Sequence, residues 1–217
     1  MSPKSFFLSQ ELHDYVIAHS TPADPVIEAL IERTAGLGDI SMMQVAPQQA
    51  TLMQMLVQLT GTDFAVEVGT FTGLSAISIA RGLNDGGRLL CCDVSEEWTA
   101  IARDAWAEAG VADRIELKIA PAIETLRALP DEPGVDFAFI DADKASYIDY
   151  WNELVPRLRP GGLLAVDNVL WSGTVLDTDA GGDTAAIQAF NDHAVNDARV
   201  DVTLLTVSDG ITLARKK

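Results

Sequence analysis

VDFAFIDADK, residues 135–144, is an apolar run that breaks off in two carboxylates and an ammonium. Residues 137–140 are apolar without interruption, which reads as a short strand buried on both faces, because such a strand has no alternating polar positions. Strands of this kind belong to parallel sheets covered by helices, and ligands bind outside the carboxyl ends of such strands. Asp141, Asp143 and Lys144 therefore stand where chemistry is placed. A second apolar run, 163–166, ends in Asp167 and Asn168. If the two runs are neighbouring strands, Asp141, Asp167 and Asn168 offer three hard oxygens. That donor set suits Mg²⁺ or Ca²⁺ and leaves room for water or substrate.

Outward from this stretch, strand and helix patterns alternate from Phe64 onward, the mark of a doubly wound α/β sheet with helices on both faces. The strands read as 64–68, 88–92, 115–119, 137–140, 163–166, 201–207 and 211–214. Helices read as 73–81, a long one capped by Ser95 with Glu96 and Glu97 in its first turn, one opened by Pro121, 147–158 and 184–195. Asp209-Gly210 between the last two strands is a hairpin signal, so the last strand is expected to be antiparallel. The polar stretch 173–182 reads as a lid or substrate-facing loop.

The first sixty residues read as helices. Pro25 opens one that carries Val26, Ile27, Leu30 and Ile31 as an apolar stripe; 41–46 reads as irregular. Pro47 opens the next, with Leu52, Met55, Leu56 and Leu59 on one face and a stop at Gly61. Met42, Met43, Met53 and Met55 read as gap fillers, and Trp98 and Trp106 as packing residues.

Hydrophobic residues make up 48% of the 217 positions and charged residues 22%, enough apolar material for one packed domain over 1–217. No run approaches the roughly 20 apolar residues a membrane helix needs. Residues 1–10 lack the basic start and apolar stretch of a secretory signal, so the expected location is cytoplasmic. Cys91 and Cys92 are adjacent in a strand, hence on opposite faces, and are expected to be reduced core thiols. The formal net charge of -17 disfavours nucleic acid and anionic membranes as partners. His13, His19 and His193 are scattered and suggest neither a metal site nor a triad.

The turn Glu67-Val-Gly69-Thr-Phe71-Thr-Gly73 joins the first strand to the first helix, where nucleotide-type cofactors meet such sheets. A dinucleotide fingerprint needs a glycine two residues after the first, and Phe71 fills that place. The turn thus suits a nucleoside without phosphates better than NAD, with Glu67 repelling a phosphate and accepting from an ammonium. Asp93, ending the second strand, is placed to grip two ribose hydroxyls.

EVGTFTGLS (67–75), Asp93, FIDADK (139–144) and DNVLWSG (167–173) together resemble the motifs of the cation-dependent O-methyltransferases, the catechol and caffeoyl-CoA O-methyltransferase family. The resemblance runs from about Met42 to the C-terminus. It implies a class I, Rossmann-like fold over 61–217 behind a helical cap over 1–60, with seven strands and an antiparallel last one. It also implies S-adenosyl-L-methionine as cofactor, with Val45, Glu67, Gly69, Thr70, Ser75, Asp93, Ala122 and Asp143 beside it. Ala120 and Pro121 stand where the family often has glycine and aspartate. Asp141, Asp167 and Asn168 match the ligands of a divalent cation, Mg²⁺ or an ion such as Ca²⁺ or Mn²⁺. Lys144 matches the catalytic lysine, and Ser172 lies where the family touches substrate; beside it Trp171 reads as a wall of the acceptor pocket that stacks on an aromatic ring. A homodimer is implied as well.

A phenol titrates near 10, so little is ionised at neutral pH. A metal on Asp141, Asp167 and Asn168 would take two vicinal oxygens of a catechol and lower the pKa of one, with Lys144 taking or stabilising its proton. Lys144 also reads as an exposed lysine paired with Asp141 or Asp143, and Asx residues commonly end strands. The expected acceptor is a small vicinal dihydroxy aromatic, free rather than a CoA thioester, given the acidic charge. Three rivals stand beside this reading: methylation of a hydroxylated tRNA base, an NAD dehydrogenase, and a cofactor-binding protein without turnover.

Overall fold

The computed structural model describes residues 9–217, so the stretch read for a secretory start lies mostly outside the described residues. Seven strands form one sheet: β1 (Phe64–Val68), β2 (Arg88–Asp93), β3 (Ile115–Ile119), β4 (Val135–Ile140), β5 (Leu158–Val166), β6 (Val200–Leu205) and β7 (Ile211–Lys216). Their order is β3-β2-β1-β4-β5-β7-β6. The first five run parallel, and β7 runs antiparallel to both β5 and β6. The strand order reverses at β1 and β4, which pair directly. A crevice at their carboxyl ends is where such sheets take ligands.

The helices are α1 (Gln10–Ala18), α2 (Pro25–Ala35), α3 (Pro47–Thr60), α4 (Leu74–Gly82), α5 (Glu96–Glu108), α6 (Ala122–Arg127), α7 (Tyr147–Arg157) and α8 (Gly182–Val195). Local chemistry sets several boundaries. The Asp24 carboxylate accepts from the N–H groups of Val26 and Ile27 to start α2, with Pro25 at the first turn. Ser95 caps α5 through the Trp98 N–H, and α3 ends on Gly61 in the left-handed conformation, φ 61°.

Strand alternation divides the core in two. Ala65, Leu89, Cys91, Phe137 and Phe139 face α2, α3, α4 and α5, where Leu30, Met53, Ile77 and Trp106 pack on them. Val66, Leu90, Cys92, Ala138 and Ile140 face α6, α7 and α8, against Leu126, Trp151, Leu154 and Phe190. Cys91 and Cys92 thus fall in different clusters, both free, and burial pushes both thiols up, Cys92 to about 12. Every residue of β4 is buried, because helices cover both faces of the sheet centre.

Three expectations about packing are corrected. The α3 face that goes inside carries Gln49, Ala50, Met53 and Val57; of the expected face, Leu52 and Leu56 pack partly buried against the core, while Met55 and Leu59 are 53% and 80% exposed. Close contact with α4 sets this rotation: a Cβ on Gly82 would meet Val57 Cβ at 2.8 Å, so only glycine there lets the helices approach. Met53 alone of the four methionines fills the core; Met42 is 88% exposed, and the 3₁₀ helix Gly38–Met43 takes in the first three residues of the stretch 41–46 read as irregular. β5 begins at Leu158 rather than 163, since Val135 pairs with Leu158 and a register shift before Phe137 absorbs the intervening residues.

Candidate active site

The β1–α4 turn approaches the end of β4 so closely that a Cβ on Gly69 would lie 1.9 Å from the Asp141 carbonyl oxygen. Gly69 takes φ +89°, and Phe71 also adopts a left-handed φ of 52° where the dinucleotide pattern wants glycine. Asp93 holds this turn open: one carboxylate oxygen accepts from the Thr70 N–H (2.9 Å) and Phe71 N–H (2.8 Å), the other from Ser95 N–H (2.8 Å). Beneath the turn, Glu67 is fully buried. Its Oε2 accepts from Thr70 Oγ1 at 3.0 Å and Cys91 Sγ at 3.3 Å, and its Oε1 has no partner. Burial raises the Glu67 carboxyl to about 7 against the pull of neighbouring hydroxyl and thiol groups. A buried acceptor without a donor is costly, and an ammonium or hydroxyl brought to it would relieve that cost.

Across the cleft, β4 and β5 end side by side: the Asp167 N–H donates to the Ile140 carbonyl at 2.9 Å. Lys144, on the 3₁₀ turn Lys144–Ser146, is buried, and its Nζ contacts Asn168 Oδ1 at 2.7 Å, Tyr147 Oη at 2.6 Å and Asp141 Oδ1 at 3.2 Å. Three acceptors use all three N–H bonds of an ammonium. Asp167, 3% exposed, accepts from Gln49 Nε2 at 2.7 Å and from the Asn168 N–H at 2.7 Å. Burial, then the charge of Asp141, raises Asp167 to about 7. Burial raises Asp141 as well, opposed by Lys144.

A buried carboxylate, a half-buried one and an amide oxygen beside a single positive charge suit a divalent cation. Among the described residues no group of three or more His, Cys, Asp or Glu side chains could hold a metal, so the Asn168 oxygen has to complete any such set. Asn168 sits at φ 57°, a conformation that Asn tolerates better than most residues.

One cavity of about 1140 Å³ runs from the glycine turn to this cluster. Val45, Gly69, Thr70, Ser75, Asp93, Ala122, Asp141, Asp143, Lys144, Asp167, Asn168, Trp171 and Ser172 line it; Glu67 lies behind the lining. Asp143 accepts from Tyr150 Oη at 2.6 Å and from Ser146 Oγ. Trp171 and Ser172 adopt left-handed φ of 45° and 53°, a strained arrangement for non-glycine residues. It is held by Asp209, whose Oδ1 accepts from the Ser172 N–H at 2.6 Å. Of the stretch 173–182, read as a lid or substrate-facing loop, no residue lines the cavity, although Ser172 and Asp183 on either side of it do.

Sequence reading missed Gln49, Tyr147 and Tyr150. A glutamine amid the α3 apolar positions was the signal for Gln49; a tyrosine three residues after Lys144 was the signal for Tyr147. Trp98, read as packing, also borders the cavity and meets Phe71 edge-on at 5.3 Å.

A parallel sheet with an antiparallel seventh strand, carrying a glycine turn and an acidic second-strand end, is the class I methyltransferase fold. The chain belongs to the O-methyltransferase family, whose model matches residues 17–217. It is 39% identical over 208 residues to probable caffeoyl-CoA O-methyltransferase 1 of Dictyostelium discoideum, covering 94% of this chain and 90% of that one. It is 36% identical over 211 residues to catechol O-methyltransferase domain-containing protein 1 of Mus musculus, covering 94% and 79%. The solved O-methyltransferase from Bacillus cereus in complex with SAH superimposes with a TM-score of 0.87 at 32% identity, covering 95% of this chain and 97% of that one.

Proposed function

We propose that this enzyme transfers a methyl group from S-adenosyl-L-methionine to one hydroxyl of a vicinal dihydroxy aromatic, with a divalent cation such as Mg²⁺. The observation that carries the reading is the convergence of Asp141 and Asn168 oxygens on Lys144 Nζ, in the same cavity as the Gly69 turn. S-adenosylmethionine would be held by Glu67, Gly69, Thr70, Ser75, Asp93, Asp143, Val45 and Ala122, and supplies an electrophilic methyl on sulfur. Asp141, Asp167 and Asn168 would hold the cation, which supplies Lewis-acid charge near the acceptor oxygens.

The chain's own groups then divide the work. As the neutral amine Lys144 takes the proton leaving the acceptor hydroxyl, or as the ammonium it stabilises the charge left on that oxygen, as the oxygen–carbon bond forms and the carbon–sulfur bond breaks. Gln49 fixes the Asp167 carboxylate from α3, and Trp171 offers a flat wall for the acceptor ring. Holding the two reactants in line supplies roughly 7–11 kcal/mol of barrier reduction.

The acceptor in this reading is a small free phenol rather than a CoA thioester. The support is charge: Asp93, Asp141, Asp143, Asp167, Asp183 and Asp209 border the cavity, and Lys144 is the one cation among the described lining residues. The phosphates of a CoA ester would face those carboxylates. A homodimer belongs to the same proposal, with exposed Met55 and Leu59 on α3 as support; sedimentation checks it. So does a cytoplasmic location, the structure adding only that no described helix is long and apolar enough to cross a membrane.

The experiment is product formation from S-adenosylmethionine and a catechol panel, with Mg²⁺ and with EDTA. Methylated product that disappears with EDTA supports the reading. Product that survives EDTA removes the metal, and cofactor binding without product across the panel removes the acceptor class.

A further inference from the structure

The first residue of α7 does more than start a helix. Tyr147 is fully buried, its ring packed edge-on against Phe190 with centroids 5.5 Å apart, and its hydroxyl is aimed into the cluster at the ends of β4 and β5. Oη donates to the Asp167 carbonyl oxygen at 3.2 Å, which commits its one proton. The oxygen is left as an acceptor, and Lys144 Nζ donates to it at 2.6 Å. That contact is shorter than the contacts of Nζ to Asn168 Oδ1 (2.7 Å) and Asp141 Oδ1 (3.2 Å).

We propose that Tyr147 is the positioning residue for Lys144: its hydroxyl, pinned by the Asp167 backbone, fixes the amine at the acceptor end of the cavity. The inference rests on the reading of Lys144 as the proton-handling group. A lysine side chain has four rotatable bonds, and the other two contacts of Nζ are to residues that the same reading gives to the cation. When those oxygens turn to a cation, Tyr147 Oη is the partner that still holds the amine in place. The anchor works because the accepting end of the hydrogen bond is fixed. The ring is locked between α7 and α8, and the proton is held by the backbone of β5's end.

The test is Tyr147→Phe, which keeps the ring and its contact with Phe190 and removes only the hydroxyl. Rates are measured with Mg²⁺, S-adenosylmethionine and catechol, and kcat is expressed per cofactor site counted by calorimetric titration. Partial unfolding then lowers the site count and leaves kcat per site intact. The expected result is a fall in kcat of about tenfold to a hundredfold, the scale of a misplaced catalytic group, with KM for S-adenosylmethionine unchanged. In a Lys144→Ala background the same substitution should add no further loss.

An unchanged kcat in Tyr147→Phe, beside a lowered one in Lys144→Ala, overturns the positioning role and leaves Lys144 in its own. An equal fold-loss in both backgrounds overturns it too, because Tyr147 would then act independently of Lys144. If Lys144→Ala keeps full kcat, the reading of Lys144 fails first, and the inference with it.

Discussion

Lys144 Nζ stands 2.7 Å from Asn168 Oδ1, joining residues 24 apart in the chain, and the same nitrogen lies 3.2 Å from Asp141 Oδ1. An ammonium thus already occupies the point on which two of the three proposed metal ligands converge. Metal entry has to take those two oxygens from the ammonium, which keeps its contact with Tyr147 Oη. Lys144→Met is therefore expected to bind Mn²⁺ more tightly than the parent protein, by roughly tenfold, about 1.4 kcal/mol. Calorimetric titration without cofactor or acceptor checks this, and equal affinities would show that the amine does not compete. Asp141→Ala should abolish the titration, while Lys144→Ala keeps it and loses kcat by roughly 10² to 10⁴.

Burial raises three carboxyls, and Glu67 and Asp167 among them make stability depend on pH in the ligand-free protein. Glu67 moves from 4.5 to about 7 and Asp167 from 3.8 to about 7, so the folded chain holds protons that the unfolded chain has released. Stability is then greatest below about pH 4 as far as these two groups are concerned, and falls as pH rises toward about 7, where both ionise in the fold. In EDTA, Tm should drop between about pH 4 and pH 7 and level off above, and Glu67→Gln should shallow that drop. A slope unaltered by Glu67→Gln would place the proton uptake elsewhere.

Gly69→Ala combines a left-handed φ of +89° with a Cβ 1.9 Å from a backbone oxygen. Neither can relax without moving the end of β4. The expected cost exceeds about 2 kcal/mol, seen as a lowered Tm together with lost S-adenosylmethionine binding. Gly173→Ala, where a Cβ meets nothing within 4 Å, serves as the comparison for backbone strain alone.

Charge at the cavity rim predicts acceptor preference. Asp183 is exposed, lies in the first turn of α8 and borders the cavity, with no hydrogen-bond duty of its side chain in the fold. Asp183→Lys should raise kcat/KM for caffeoyl-CoA relative to 4-methylcatechol by roughly threefold to tenfold at low salt, and the gain should shrink as salt is added. Comparable kcat/KM for caffeic acid and its CoA ester in the parent enzyme would remove the preference for a free phenol.

Much of this architecture is legible in the chain itself. β1 and β3 begin and end where the sequence pattern places them, and the Asp209-Gly210 turn does precede an antiparallel strand. These features are local: strand alternation, caps and turn residues act over a few positions, so a reader of the sequence sees them directly. The placement of Asp93, Asp141, Asp167 and Asn168 at carboxyl ends of neighbouring strands follows from the same runs and from the parallel sheet they imply.

Tertiary packing decided the rest. The inner face of α3 depends on how closely Gly82 lets α4 approach, so Met53 went inside while Met55 and Leu59 stayed out. That rotation carries Gln49 onto Asp167, a partner 118 residues away. The Tyr147 hydroxyl likewise reaches Lys144 because α7 packs on α8 through Phe190. Backbone periodicity is written residue by residue, so the sequence alone determined the order of strands and helices and the polar residues that end them. Which side chains then meet depends on helix rotation and approach, and those are set jointly by surfaces distant in the chain.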